Sequence, residues 1–354
     1  MAKFSEVLTI INGKNQSKVE NPYGKYPIYG SGGIMGYADD YICEPHTVII
    51  GRKGSINKPI FVETPFWNVD TAFGLSANKD VLLPKYLYYF CEHFDFEKLN
   101  TTVTIPSLTK ANLLNIEIEL PTIEQQREIV FQLDNVESIV SLRKQQLSKL
   151  DELVKSRFVE LFGDPITSKN KKKLSEIGRV FTGNTPSMKE PSYYESNDIP
   201  FIKPSDLTES GVTSIDRVEA FISEKARPVA RIIPPQAVLV TCIGTIGKIG
   251  ITARESCCNQ QINFVAPNDG INSVYLAHCL TFFKSTLQNI ANAPVVPIIN
   301  KTQFSELEVP VVDMDKQNQF AAFVEQTDKS KLAIQQSLEK LETLKKALMQ
   351  KYFG

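Results

Sequence analysis

The sequence predicts an α+β protein with a pseudo-two-fold internal repeat, in which two mixed, β-rich globular domains are each followed by a long helix. Residues 126–163 and 317–354 align without a gap at a shift of 191 (317 − 126), and both carry apolar residues at alternating spacings of three and four. The segments before them are rich in Val, Ile, Thr, Tyr and Phe in short runs cut by Gly, Pro and Asn. We therefore expect globular domains at 1–122 and 164–312 and helical regions at 123–163 and 313–354.

Length and composition agree with two soluble domains. The chain has 354 residues, and single cores usually stop growing at ~250–300 residues. Hydrophobic residues make up 42% and charged residues 22%, without an apolar run long enough to span a membrane or a signal-peptide pattern at the start. We expect a cytoplasmic protein without membrane contact. The net charge of −1 leaves room for local basic faces.

The cysteine and histidine pattern argues against a metal site. The six cysteines show no paired CxxC spacing, and the three histidines are scattered. We expect the cysteines to be small buried residues in a reducing compartment. A stand-alone enzyme is disfavoured because three scattered histidines supply no nucleophile-base or metal constellation.

The stretch VIIGRKGSINKP at residues 48–59 resembles a phosphate-binding loop but fails its spacing. Such a loop needs two glycines separated by four residues and then lysine with a hydroxyl residue, whereas Gly51 and Gly54 are three apart and Ser55 follows directly. VLVTCIGTIGK, which begins at residue 238, matches the stretch at a shift of 190 (238 − 48). The matched residues are Gly54, Ser55, Ile56 and Lys58 with Gly244, Thr245, Ile246 and Lys248. The two stretches are therefore interpreted as equivalent strand turns.

Other landmarks repeat as well. SEVLTIINGKN at residues 5–15 matches SEIGRVFTGNT at 175–185, and Lys110 matches Lys301. Upstream of that lysine, Ile105 and Pro106 match Val296 and Pro297. Glu6 precedes Val48 by 42 residues and Glu176 precedes Val238 by 62, so the second half carries 20 more residues there (62 − 42). Within the domains we expect helices at 84–97 and 273–290.

The two long helices are expected to pair with each other. A period of 3.5 leaves an apolar stripe that a lone helix would expose to water, so it predicts a two-stranded coiled coil of helices on the order of 50 Å long. Gly163, Asp164 and Pro165 end the first helix. Independent solvated helices or homodimeric coils remain the alternative. The predicted seam residues are Leu133, Val140, Leu147, Leu150, Val154, Leu161, Val324, Ile334, Leu338, Leu341, Leu348 and Tyr352.

Several motifs together resemble one protein family. They are YPIYGSGGIMGY (26–37), IPFIKPSDL (199–207), the two GxIxK-type turns and the helix junctions IELPTIEQQREIV and LEVPVVDMDKQNQF. In this order, over nearly the whole chain, they resemble the specificity subunit of type I restriction-modification systems, with two target recognition domains.

The resemblance implies a non-catalytic subunit. Each target recognition domain would read one half of a bipartite asymmetric sequence in double-stranded DNA, and the two helices, antiparallel in this family, would act as spacer. Two methyltransferase subunits would dock onto the chain and methylate adenine at N6 with S-adenosylmethionine. Motor-nuclease subunits that use ATP and Mg²⁺ would join them for cleavage, so this chain itself would bind no cofactor.

The nearest catalytic motifs are incomplete. The string Asn21, Pro22, Tyr23, Gly24 lacks the second proline of an adenine methyltransferase loop. The glycines at 30, 32 and 33 miss the GxGxxG pattern because Met35 stands where its third glycine belongs, so we interpret them as a turn. The remaining alternative to DNA recognition is a coiled-coil scaffold or protein-interaction module without DNA.

DNA binding requires cations for phosphates and forked or amide side chains for base edges. For each candidate the alternative is a solvated surface residue. We expect Lys171, Lys172 and Lys173 to be a charged linker rather than a phosphate contact, and Trp67 to be core rather than a stacking platform. The candidates are Lys25, Tyr29, Ser31, Arg52, Lys53, Ser55, Lys58 and Lys110 in the first half, and Lys203, Arg227, Arg231, Thr245, Lys248, Arg254, Gln260, Gln261 and Lys301 in the second.

Overall fold

The computed structural model of the chain describes residues 1–53, 55–99, 107–291 and 296–354. These residues form two compact units: unit 1 comprises Met1–Lys144 with Gln336–Gly354, and unit 2 comprises Gln145–Gln335. Of the matched landmarks, Gly54, Ile105 and Pro106 lie outside the described residues.

The described strands and helices alternate irregularly along the chain. The strands are β1 (Ala2–Lys3), β2 (Leu8–Asn12), β3 (Tyr26–Gly30), β4 (Gly33–Ala38), β5 (Thr47–Gly51), β6 (Ile60–Val62), β7 (Trp67–Asn68), β8 (Ala72–Ala77), β9 (Glu117–Ile118), β10 (Lys171–Lys173), β11 (Gly178–Thr182), β12 (Ile199–Ile202), β13 (Val212–Ile215), β14 (Phe221–Ile222), β15 (Val238–Thr241), β16 (Ile249–Thr252), β17 (Cys257–Cys258), β18 (Ile262–Pro267) and β19 (Glu308–Pro310). The α-helices are α1 (Phe4–Val7), α2 (Pro84–His93), α3 (Lys110–Leu114), α4 (Ile123–Phe162), α5 (Leu174–Ile177), α6 (Ser273–Phe282), α7 (Lys284–Ile290), α8 (Lys301–Ser305) and α9 (Met314–Phe353). Short 3₁₀ helices lie at Phe96–Leu99, Pro191–Tyr194, Pro204–Asp206 and Glu224–Ala226.

Unit 1 is built on a four-stranded antiparallel sheet in the order β2-β8-β5-β6, beside a three-stranded sheet in the order β4-β3-β7. All five residues of β5 are buried, as expected for a β-branched, apolar run in the middle of a sheet. Val48, Ile50 and Leu75 pack in one core with Leu87 and Phe90 of α2. The helix therefore covers one face of the sheet.

Unit 2 repeats this plan with one additional strand. Its main sheet has the order β11-β18-β15-β16-β13, and its second sheet has the order β14-β12-β17. The additional strand, β13, pairs in parallel with β16. It lies in the segment where the second half of the sequence is 20 residues longer (62 − 42).

The pairing registers reproduce the repeat that the sequence predicts. Leu8 pairs with Ala77 in unit 1, and Gly178 pairs with Pro267 in unit 2, which preserves the shifts of 170 (178 − 8) and 190 (267 − 77). The isolated bridge between Lys53 and Ser107 has its counterpart between Ile243 and Ile298. The two turns thus occupy equivalent places in their units.

The two long helices pair antiparallel within each unit, as predicted. In unit 1, the Tyr352 hydroxyl donates to Gln132 Oε1 at 2.7 Å, and the Lys144 ammonium lies 3.3 Å from the Glu342 carboxylate. In unit 2, the Lys331 ammonium lies 2.7 Å from the Asp151 carboxylate. In both units, residues farther along α4 contact residues earlier in α9.

The predicted seam residues are buried or half-buried. The seam pattern omits the fully buried Phe158, whose ring packs on the rings of Phe320 at 5.2 Å and Tyr275 at 5.5 Å. Near this end of α4 the helix pair gives way to the core of unit 2, so an aromatic residue replaces the aliphatic seam. Leu133, Val154, Val324 and Leu338 are buried, and Val140, Leu147, Leu150, Leu161, Ile334, Leu341, Leu348 and Tyr352 are half-buried.

The first turn of each long helix carries a buried glutamine that joins the helix to its globular domain. Gln126 Oε1 accepts from the Leu83 amide at 2.8 Å, while Nε2 donates to the carbonyls of Val81 and Pro121, both at 2.9 Å. The equivalent Gln317 Oε1 accepts from the Asn272 amide at 2.8 Å. Gln317 Nε2 donates to the carbonyls of Gly270 at 3.1 Å and Val312 at 2.7 Å. Both side chains are fully buried, so these bonds fix the junction without help from solvent.

Three smaller expectations from the sequence have different outcomes. The linker assigned to Lys171–Lys173 is wrong, because these residues form β10 and pair with β19, with Lys173 in an ion pair with Glu306. A two-stranded ribbon tolerates lysines since its side chains reach water. Helix 84–97 ends at His93, and helix 273–290 is divided into α6 and α7 at Phe283.

The expected burial of Trp67 and of the cysteines is confirmed. Trp67 is 7% exposed, and its Nε1 donates to the Lys14 carbonyl at 2.9 Å. All six cysteines are free and buried. Burial raises the pKa of the Cys43 thiol to about 12, which keeps it protonated and unreactive.

His278 is expected to make unit 2 sensitive to acid. Its pKa is lowered to about 3, chiefly by burial and also by the nearby Lys331 ammonium, while the Asp151 carboxylate opposes the shift. Because the unfolded chain takes up the proton near pH 6.5, stability is complete above that pH and is lost as pH falls toward the folded pKa. The loss is at most about 1.4 kcal/mol per pH unit. Urea unfolding between pH 7 and 4 should therefore show a flatter pH dependence for His278→Gln than for the unchanged chain, and equal slopes would contradict the assignment.

Candidate nucleic-acid interface

The turn after β5 in unit 1 presents cations without carboxylate partners among the described residues. Arg52, Lys53, Ser55 and Lys58 are exposed. The turn is anchored by the Arg52 amide, which donates to the Thr71 carbonyl at 2.8 Å, and by the Arg52 carbonyl, which accepts from Leu108 at 3.0 Å. The Arg52 guanidinium lies 5.7 Å from the Phe73 ring centroid. The backbone is thus fixed while the charges stay in water.

Gly51 is required by close packing at this turn. A Cβ there would lie 2.6 Å from the Ser55 carbonyl oxygen and 3.0 Å from the Cβ of Ser31, at the tip of the β3–β4 hairpin. The structure therefore brings Ser31 against the turn that carries Arg52 and Lys53. Tyr29 of the same hairpin is half-buried on the Phe66 ring, and burial raises the pKa of its hydroxyl.

The other two candidates of unit 1 contact the protein itself. Lys110 Nζ donates to the Ile10 carbonyl at 2.8 Å and so ties α3 to β2. The Lys25 ammonium lies 5.4 Å from the Tyr26 ring centroid. The Lys110 ammonium therefore has a structural hydrogen bond, while Lys25 lies at an exposed position where its ammonium can reach an anion.

The equivalent turn in unit 2 carries a different set of charges. Gly244 and Gly247 adopt φ of 73° and 85°, which favours glycine. The Thr241 hydroxyl accepts from the Lys248 amide at 3.0 Å and closes the turn, and Thr245 is exposed at its tip. Cys242 and Ile243 stand where unit 1 has Arg52 and Lys53, so this turn carries fewer cations.

Several predicted cations of unit 2 are neutralised by neighbouring carboxylates. Arg227 bonds Glu224 and lies 2.7 Å from the carboxylate of Glu255, and these carboxylates raise the pKa of its guanidinium. Lys248 Nζ lies 2.9 Å from the Glu209 carboxylate. Lys203 and Arg254 are also exposed, and Arg254 directly precedes Glu255 in the chain. A cation already held by a carboxylate contributes less to the attraction of phosphates.

Arg231 and Lys301 form a different group around one ring. The Arg231 guanidinium lies 5.9 Å and the Lys301 ammonium 5.5 Å from the Phe181 ring centroid. Arg231 also donates to the Thr182 carbonyl, and its amide donates to Asn184 Oδ1 at 2.7 Å. Among the described residues neither cation has a carboxylate within 4.0 Å. Both charges are exposed and remain available to an anion.

An amide-rich turn lies next to these cations. The Thr185 hydroxyl donates to Gln260 Oε1 at 2.8 Å, which links residues 182–185 to the turn between β17 and β18. Asn259 Nδ2 donates to Gln261 Oε1 at 3.0 Å. The structure thus brings together Arg231, Gln260, Gln261 and Lys301 from the predicted set. The sequence reasoning missed Phe181, Asn184 and Thr185, although all three lie in the segment 175–185 that matches residues 5–15.

The model of the type I restriction modification DNA specificity domain matches residues 1–152 and 167–345. The chain belongs to this family. The match confirms the resemblance to type I specificity subunits that the sequence motifs indicated. The expected mixed α+β fold with a repeated domain is confirmed as well. None of the helices in the described ranges is long and apolar enough to cross a membrane.

Curated members of the family resemble this chain over different lengths. The MjaIX specificity subunit of Methanocaldococcus jannaschii is 32% identical over 164 residues, which cover 44% of this chain and 37% of that protein. The HindI specificity subunit of Haemophilus influenzae is 28% identical over 141 residues, which cover 39% of this chain and 30% of that protein. The putative specificity subunit S.HindORF215P of H. influenzae is 23% identical over 98% of this chain and 94% of its own length.

Two solved structures share the fold. A type I restriction-modification S subunit from M. genitalium superposes with a TM-score of 0.63 at 16% identity, covering 100% of this chain and 95% of the other. A chain from a study of complex assembly and conformational transition in the type I system has a TM-score of 0.58 at 17% identity, with coverages of 99% and 96%. At these identities the likeness establishes the fold alone.

Proposed function

We propose that this chain is the DNA sequence-specificity subunit of a type I restriction-modification complex. Its recognition domains, residues 1–122 and 164–312, each read one half of a bipartite asymmetric site in double-stranded DNA. The helical regions, 123–163 and 313–354, serve as spacer. The observation that carries the proposal is the family match over both halves of a chain whose units repeat one fold.

The surface chemistry of each unit supports DNA as the ligand. Unit 1 exposes Arg52, Lys53 and Lys58 on one anchored turn, and unit 2 exposes Arg231 and Lys301 beside an amide-rich turn. Cations position a protein on phosphates, while amides and guanidinium groups distinguish base edges. Because Cys242 and Ile243 stand where unit 1 has Arg52 and Lys53, the two units would read different half-sites.

The partners and cofactors of the activity belong to the same proposal. Two methyltransferase subunits dock onto the chain and use S-adenosylmethionine to methylate adenine at N6, and motor-nuclease subunits that use ATP and Mg²⁺ join them for cleavage. The chain itself contributes recognition and no catalytic group, and the complex acts in the cytoplasm.

Sequencing of modified bases tests this function. The chain is expressed with the methyltransferase subunits of its own system in a host that lacks adenine modification, and the matched control expresses the methyltransferase subunits alone. We expect N6-methyladenine in one split motif only when the chain is present. Methylation at the same motif without the chain, or the absence of any split motif with it, would refute the proposal.

A binding measurement separates DNA recognition from a protein scaffold. Gel shifts of the methyltransferase complex on DNA that contains the motif should weaken steeply between 50 and 200 mM salt, since phosphate contacts release counterions. Binding that does not respond to salt would favour the scaffold.

A further inference from the structure

The turn between β17 and β18 holds a glutamine side chain in place at the surface of unit 2. Gln260 is exposed, yet its Oε1 accepts from the Thr185 hydroxyl at 2.8 Å. We propose that the Gln260 carboxamide reads an adenine in the half-site that unit 2 contacts. This inference rests on the proposed function and names the residue and base that would be involved.

The backbone of this turn is rigid. The Cys242 amide donates to the Gln261 carbonyl at 2.7 Å, which ties the turn to the end of β15. The Gln261 amide donates to Asn259 Oδ1 at 3.1 Å, and the Ile262 amide donates to the Asn259 carbonyl at 3.3 Å. A side chain on such a turn loses little entropy on binding, which favours a specific contact over a diffuse one.

The neighbouring charges are placed to hold DNA against the turn. Asn184 Oδ1 accepts a hydrogen bond from the Arg231 amide, and the hydroxyl of Thr185, the next residue, donates to Gln260 Oε1. The cations of Arg231 and Lys301 share the Phe181 ring. Phosphate contacts fix the register of a protein on the duplex, and base contacts then supply the sequence preference. Both kinds of group are therefore connected through one short segment, residues 181–185.

The hydrogen-bonding capacity of Gln260 matches adenine. Its amide nitrogen has no partner within the described chain, and its oxygen uses one of two lone pairs on Thr185. The remaining donor and acceptor fit N7 and the N6 amino group of adenine in the major groove, the bidentate pair that glutamine forms. Guanine presents two acceptors on that edge, so the amide oxygen would lose its partner there.

Unit 1 has a different chemical group at the equivalent place. The strand registers relate Gln260 to Asp70, 190 residues earlier (260 − 70), and Asp70 is also exposed. A carboxylate accepts hydrogen bonds without donating any, so it cannot make the same contact with adenine. The two copies of one turn thus carry different recognition chemistry on the same backbone frame.

Two substitutions at this position test the inference in the complete methyltransferase complex, with methylated motifs sequenced in host DNA. Gln260→Ala is expected to lower discrimination at one A·T pair of one half-site by roughly 5- to 150-fold, the range for a bidentate base contact. Gln260→Glu retains an acceptor for Thr185 but loses the donor, and is expected to shift the preference there toward cytosine. Gln288→Ala, which changes an exposed glutamine of α7, is the matched control and should leave the motif unchanged.

The outcomes are distinguishable. An unchanged motif in both Gln260 variants would overturn the role of Gln260 while the split motif of the unchanged chain still supports the proposed function. The absence of any split motif with the unchanged chain would overturn both. If a variant abolishes methylation, the binding of its purified complex to DNA decides. For each base pair of the half-site in turn, four duplexes that differ only at that pair are compared. Loss of discrimination at one pair supports the inference, and equal weakening on every duplex contradicts it.

Discussion

Replacement of Gln317 by leucine is expected to destabilise unit 2 by about 3 to 5 kcal/mol. The side chain of Gln317 bonds one amide and two carbonyls at the start of α9, and it is fully buried. Leucine would leave these three backbone groups without partners, and each unpaired buried group costs ~1–3 kcal/mol. The total stability of a domain is only ~5–15 kcal/mol. Thermal and urea unfolding of the full chain should show a first transition at lower temperature and lower urea concentration.

The controls separate the buried amide from a general effect of leucine. Gln326→Leu, on the exposed face of the same helix, should change stability by less than about 0.5 kcal/mol. Gln126→Leu is expected to produce the same loss in unit 1 through the equivalent bonds. Hydrogen exchange of each variant assigns the loss to one unit. A stability of Gln317→Leu equal to that of Gln326→Leu would contradict the role of the junction.

The internal repeat is the part of the fold that the sequence predicts best. The two glutamines show why: both lie at the start of a gapless match, and both make the same three backbone bonds. Apolar periodicity and turn spacing also depend on local chain geometry, which a sequence displays directly. The equivalence of β2 and β11 therefore follows from the matched segments 5–15 and 175–185.

Other features depend on contacts between residues far apart in the chain. The lysines of β10 suggested a linker because the strand partner, β19, lies more than a hundred residues later. Likewise, Arg227 and Arg231 are four residues apart and equally basic, but only Arg227 meets two carboxylates, one of them from Glu255. Residue type predicted both arginines as DNA contacts. The tertiary structure shows that the charge of Arg227 is paired with carboxylates, whereas that of Arg231 is available to an anion. The DNA-contact set therefore remains a prediction that binding experiments must test.

Removal of the two cations on the Phe181 ring is expected to weaken DNA binding at one half-site. The double variant Arg231→Gln with Lys301→Gln deletes two exposed charges that have no carboxylate within 4.0 Å in the described chain. Each phosphate contact contributes ~0.9 to the slope of log K against log salt, so the slope should fall by about 1.8. Affinity of the methyltransferase complex should fall on the order of 10- to 100-fold at low salt, alike for matched and mismatched sites, because phosphate contacts carry no base information.

A second double variant removes the same net charge from cations that are already paired. Arg227→Gln with Lys225→Gln deletes charges held by Glu224, Glu255 and Glu195. Net charge changes equally in both variants, so a general long-range effect would weaken binding equally. We expect the salt slope to fall only for the Arg231 and Lys301 pair, since only those cations are free to replace counterions on phosphate. Equal slopes for the two variants would place the DNA away from the Phe181 ring. That result would also contradict the position of the DNA that brings Gln260 to a base.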